Sequence, residues 1–185
     1  MYAAITDYKN NWAVVLLLFL PLFSCERADI APEQPYAPTD VLLKTKGAVT
    51  IQDVFNFINT WDHEVSFMYG EVYTSALPPD SLDAVLAAIN AKTYTSNETW
   101  SVSGYVHAPT ATITLLPKFF DMHNRDHQTD WLATIGHLKL EEQGNGYVLY
   151  VHVPAGEEKE WVNTYKQHAA VEWAELNYIG GIDNR

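Results

Sequence analysis

Two stretches near opposite ends of the chain constrain its fold more than anything else in the sequence. Val41–Val65 (VLLKTKGAVTIQDVFNFINTWDHEV) and Val148–Glu172 (VLYVHVPAGEEKEWVNTYKQHAAVE) each read strand, short turn, helix, strand. In the first, Ile51, Val54, Phe55, Ile58 and Trp61 recur at i, i+3, i+4, i+7 and i+10, which gathers them on one helical face. Thr50 and Asp53 form a variant capping box that fixes where this helix starts. In the second, Glu157, Glu158 and Glu160 crowd the first turn and Lys166 and His168 lie in the last, the polarity a helix dipole favours. Trp161, Val162 and Tyr165 form its buried stripe. Each striped helix must bury that stripe against another layer, and the flanking strands supply one.

The region between the two units reads as strands and one further helix. EVSFMYGEVYTS, Glu64–Ser75, is expected as a strand with a bulge at Gly70. Ser81–Ala91 is expected as a helix, with Leu82, Val85, Leu86 and Ile89 on one face and Asp80 as its N-cap. Strands are expected near Trp100–His107, Ala111–Phe120 and Trp131–Glu141. The Gly144-Asn145-Gly146 turn predicts that HLKLEEQGNGYVLYVHV is a hairpin. Two strand–helix–strand units sharing one antiparallel sheet predict an α+β fold. Its layout is a ferredoxin-like βαββαβ sandwich, helices on one face, with a β-rich insertion at about residues 77–143. The predicted domain covers residues 40–180, followed by a C-terminal tail, 181–185.

Cys25 is the only cysteine, so no intramolecular disulfide can form and the fold must stand on its core. Just before it, Trp12–Phe23 (WAVVLLLFLPLF) is an apolar run too short for a comfortable membrane span of about 20 residues. The run fits the apolar region of a secretory signal. LFSC, with Leu22, Ser24 and Cys25 in place, resembles the bacterial lipobox. That resemblance implies a signal peptide over 1–24, cleavage before Cys25, lipid on its thiol, and a folded domain tethered to a membrane of the cell envelope outside the cytoplasm. Residues 26–39 hold three prolines and no apolar period, so 25–39 is expected to be an extended tether.

The formal net charge is −12. Nucleic-acid binding by counterion release needs clustered Lys and Arg and is not expected. No G-x-S-x-G elbow, P-loop or H-E-x-x-H occurs, so neither an enzyme nor a cofactor is expected. In DMHNRDHQTD, His123 and His127 stand at i and i+4, a spacing that can bind metal on a helix. The stretch has no helical apolar face and sits between two expected strands, so a polar hairpin loop is the preferred reading. Six Trp and eleven Tyr mostly serve the core. Trp100, Tyr105 and Trp131 on the inserted strands form the alternative, an exposed platform for a glycan or peptide. A structural envelope subunit is a further alternative.

Val153–Ile179, VPAGEEKEWVNTYKQHAAVEWAELNYI, resembles the end of the propeptide that precedes subtilisin-type serine proteases. There a strand leads into a helix and then a final strand of the form V-x-(aromatic)-(small)-E-P-N. Val171, Trp173, Ala174, Glu175 and Asn177 occupy the matching places, and Leu176 stands where proline is common. The likeness covers Tyr147 to Ile179. It implies a folding-chaperone and inhibitor module whose sheet lies against two parallel helices of the protease while its tail enters the cleft. No protease domain follows Arg185, so action in trans is expected. The expected partner-binding residues are Val171, Trp173, Ala174, Glu175, Asn177 and Tyr178. An extended edge can add to a partner through main-chain hydrogen bonds, and Glu175 can meet helix N-termini that lack acceptors. Val171 and Ala174 cannot share a face under strict alternation, so a bulge or twist is expected between them.

Overall fold

The computed structural model describes residues 34–180. They form a mixed α+β fold with two antiparallel sheets and four helices. The signal segment, Cys25 and the tail at 181–185 lie outside the described residues. No described helix is long and apolar enough to cross a membrane.

Both strand–helix–strand units form. β1 (Tyr36–Thr45) leads to α1 (Ile51–Trp61) and β2 (Glu64–Tyr69). The Thr50–Asp53 capping box is complete, and Asp62 ends the helix in the left-handed region at φ 53°. At the other end, β8 (Val148–His152) leads to α4 (Glu158–Lys166) and β9 (Val171–Tyr178). With β6 (Lys118–Phe120) these strands make one five-stranded sheet in the order β6-β2-β8-β1-β9.

β1 begins earlier than the proline content suggested, so the tether reading ends before Tyr36. Tyr36 pairs with Tyr178, and the Pro35 carbonyl accepts from Ile179 N–H at 2.9 Å. The ladder tolerates Pro38 because the register shifts between Tyr36 and Val41. Thr39 turns there at φ 69°, and its N–H donates to the buried Glu158 carboxylate at 2.8 Å. A side chain of α4 thus takes the donor that the irregular ladder leaves over.

Between β2 and β8 the chain builds the second sheet, ordered β4-β5-β3-β7. Its strands are β3 (Tyr73–Ser75), β4 (Ser103–His107), β5 (Thr112–Leu116) and β7 (Leu140–Glu142). Helix α2 (Leu82–Asn90) follows a short 3₁₀ turn that contains Asp80, so Asp80 is not its N-cap; Ser81 is. Three expectations fail for one reason: the chain changes sheets within a stretch read as belonging to one. Gly70, at φ 106°, splits Glu64–Ser75 into β2 and β3. Pro117 splits Ala111–Phe120 into β5 and β6. The Gly144–Gly146 turn carries the chain from β7 in one sheet to β8 in the other, so the expected hairpin does not pair. The buried Glu71 carboxylate holds that turn by accepting from Gln143 N–H at 2.7 Å and Gly146 N–H at 2.8 Å.

The expected strand at Trp131–Glu141 is also corrected. Helix α3 spans Arg125–His137, and only Leu140–Glu142 is extended. Its buried face carries Gln128, Trp131 and Thr134, which is too polar to announce itself as an apolar stripe. Gln128 is satisfied by a reciprocal amide pair with Asn59 of α1, at 2.9 and 3.0 Å, and by donating to Met122 O at 2.8 Å. Trp131 is fully buried, edge-on to Phe119 and Tyr73.

Candidate protein-docking face

Alternation sorts the five-stranded sheet into two faces. Val41, Leu43, Val65, Met68, Leu149 and Val151 point to one side and are buried. Phe57, Ile58 and Trp61 of α1 and Tyr165 of α4 surround Val65 and Val151 there. Trp61 and Trp161 lock the two helices at 5.5 Å between ring centroids. The other side carries Phe120, Phe67, Tyr150, Leu42 and Glu175 in one cross-strand row. A second row reads Lys118, Tyr69, Val148, Lys44 and Trp173. These side chains are half-exposed or exposed.

The rows are held in place before anything binds. Phe67 stacks on Tyr150 with centroids 4.0 Å apart, and Tyr69 lies 6.2 Å from Phe67. The Lys118 ammonium sits 4.0 Å from the Phe67 ring centroid, 5.3 Å from Phe120 and 5.5 Å from Trp100. Desolvation and the nearby Tyr69 hydroxyl push the Tyr150 hydroxyl above the ordinary tyrosine pKa, so it stays neutral and can donate. Lys44 pairs with Glu172 at 2.9 Å, and Asp40 takes His152 at 2.9 Å and the Asn177 amide at 3.0 Å. The result is a pre-ordered, largely aromatic patch on an acidic protein, the kind of surface that gains by being covered.

β9 borders this patch as the edge strand of the sheet. The register slips between Lys44 and Thr45, so Glu172 is skipped in the ladder with β1, and the bulge lets Val171 and Ala174 face the core together. Of the six residues singled out in the sequence, these two are buried. Glu175 and Tyr178 are exposed, while Trp173 and Asn177 are half-buried. Trp173, Glu175 and Asn177 alternate onto the outer face and rim the patch, whereas Tyr178 pairs with Tyr36, which packs on the core, and so lies on the helix side of the sheet. His123 and His127 both approach Asp121, at 3.2 and 3.6 Å. His127 lies on α3 rather than in a hairpin loop, and His123 precedes it. Among the described residues no group of three or more His, Cys, Asp or Glu is arranged to hold a metal ion. The aromatic trio of the inserted segment does not form a row: Trp131 is core, while Trp100 and Tyr105 are 39% and 50% exposed.

No family model matches this chain, and no curated protein or solved structure matches it either. Its function therefore has to be argued from the surface. Phe67, Tyr69, Phe120, Tyr150 and Lys118 escaped the sequence reading. SFMYG and VLYVHV are apolar or aromatic at nearly every position, and such strands read as buried on both sides. The useful signal was that Tyr69 and Tyr150 carry hydroxyls and Lys44 and Lys118 carry charges, at positions that alternate with the buried aliphatic ones.

Proposed function

We propose that this domain is a protein-docking module of the protease-propeptide kind, which binds or inhibits a subtilisin-type serine protease in trans by binding and not by catalysis. The observation that carries the reading is the position of β9. It is an edge strand with Glu175 exposed, and it borders an aromatic sheet face opposite the one packed on α1 and α4. In this reading β2, β8, β1 and β9 are the four strands of a ferredoxin-like sandwich, α1 and α4 are its crossover helices, and β3–β7 with β6 are the insertion. Two partner helices would lie across Phe67, Tyr150, Leu42 and Trp173, and Glu175 would accept from the free N–H groups at a helix start. The acidic surface disfavours anionic partners and suits a protease with basic flanks.

Residues 34–180 group as a unit of their own, with a closed core, so the segment 34–185 can be tested as such. This segment is expected to slow peptide hydrolysis by a subtilisin-type enzyme. Glu175→Ala should weaken the effect about tenfold and Phe67→Glu should remove it, as the loss of a charge-assisted bond and of a central aromatic contact would. Hydrolysis that stays unaffected up to about 100 μM segment would exclude even weak docking to that enzyme. We further propose that lipid on Cys25 holds the module on a membrane of the cell envelope. Full-length protein should then partition with membranes, and Cys25→Ser should release it to the soluble fraction; an unchanged distribution would contradict the anchor.

A further inference from the structure

The two sheets part along a line where neighbouring strands switch together. Tyr69 pairs with Lys118 at the end of one ladder, and Tyr73 pairs with Leu115 at the start of the other. Between these pairs Gly70 and Pro117 turn the strands away from each other. The gap is a cleft of about 350 Å³ lined by Tyr69, Trp100, Leu116, Pro117 and Lys118, with Gly70 and Glu71 completing the wall. That volume lies in the range of small-ligand pockets. Tyr69, Trp100 and Leu116 are three of the large apolar side chains the protein leaves exposed, at 39%, 39% and 42%.

Charge in the cleft is one-sided. Lys118 rests against three aromatic rings and makes no ion pair among the described residues. The carboxylate of Glu71 accepts from the backbone N–H groups of Val72, Gln143 and Gly146, which balance it inside the protein. Its residue is 2% exposed, so it is no counter-ion at the mouth. A fixed cation beside an apolar slot calls for a ligand with the opposite charge on an apolar body.

We propose that this cleft binds a small carboxylic acid with a flat apolar body, the ring system packed between Tyr69, Trp100, Leu116 and Pro117 and the carboxylate on the Lys118 ammonium. The site takes a free small molecule and does not rest on the protease reading. Ligand titration and protease inhibition can fail independently.

The test is a ¹⁵N–¹H NMR titration of the 34–185 segment with 1-naphthylacetate, the isosteric neutral 1-naphthylacetamide, and the cation 2-(1-naphthyl)ethylamine. The acid should give saturable shifts centred on the amides of residues 69–71, 100, 116 and 118. The amide should bind about three- to tenfold more weakly, the margin one partly exposed charge contact supplies, and the amine more weakly still. Lys118→Met should bring the acid down to the amide's affinity. Trp100→Ala should weaken acid and amide alike, and unchanged signals from α1 and α4 would show that each variant is folded. Equal affinities for acid and amide, an unchanged constant in Lys118→Met, or no saturable shift up to about 5 mM would overturn the proposal.

Discussion

Two buried or half-buried glutamates show how one residue type takes opposite roles. Glu158 is 3% exposed and accepts from Thr39 N–H and Gly156 N–H, at 2.8 and 3.0 Å. These backbone bonds, Thr39 first, hold its pKa below the ordinary glutamate value. Its stabilisation is therefore complete above the unfolded pKa of about 4.3 and is lost as pH falls through the lower folded value. Glu142 ends a buried chain that runs from Trp131 Nε1 through the Tyr73 and Tyr147 hydroxyls to its Oε1, which also accepts from Ile51 N–H. Desolvation outweighs those bonds and raises its pKa. Ionised Glu142 thus costs stability at neutral pH, and the cost fades as pH falls toward its unfolded value. Glu158→Gln should lose about 1–2 kcal/mol at neutral pH, with the difference from wild type shrinking in acid. Glu142→Gln keeps the acceptor oxygen and should be at least as stable as wild type at neutral pH, with the difference again closing in acid. Urea midpoints measured across the acid-to-neutral range check both signs.

At the scale of elements, legibility followed how local the determining forces are. α1 and α4 were readable because their signals are local: an apolar stripe in both, the Thr50–Asp53 capping box in α1 and the charge polarity in α4. α3 was not, because its buried face is polar and Gln128 is satisfied by a distant partner, Asn59 of α1, while Thr134 turns back on Asp130 O within the helix. The strands were readable as extended segments, yet which sheet each joins depends on Gly70, Pro117 and the Gly144–Gly146 turn, where local pattern is silent. The rim of the candidate site was readable at Trp173, Glu175 and Asn177 because a linear motif drew attention to it, while Tyr178, named by the same motif, falls on the other face. The aromatic rows were not, since their exposure follows only from all four helices being placed elsewhere. The sheet-switching turn also makes a prediction. A Cβ at Gly146 would meet Thr45 O at 2.4 Å, and the residue sits at φ 75°. Gly146→Ala should therefore cost about 2 kcal/mol or more, from clash and backbone strain together. A thermal or urea melt indistinguishable from wild type would mean that the turn can relax away from β1.

At the scale of the molecule, one sheet has two unlike faces. The inner face is closed by α1 and α4 and accounts for stability. The outer face is aromatic, pre-ordered and bordered by a free edge, and stability does not require it to be so. That asymmetry is why a docking role is the central claim. Its most direct test is isothermal calorimetry of the 34–185 segment against a subtilisin-type protease whose active serine has been blocked, which removes any need for catalysis in the readout. The account predicts a one-to-one complex with a negative heat-capacity change, as burial of apolar surface requires, and loss of that complex in a Phe67→Glu, Tyr150→Glu double variant that keeps the wild-type circular dichroism. Binding that survives both charges on the outer face, or no binding by the wild-type segment, would contradict it.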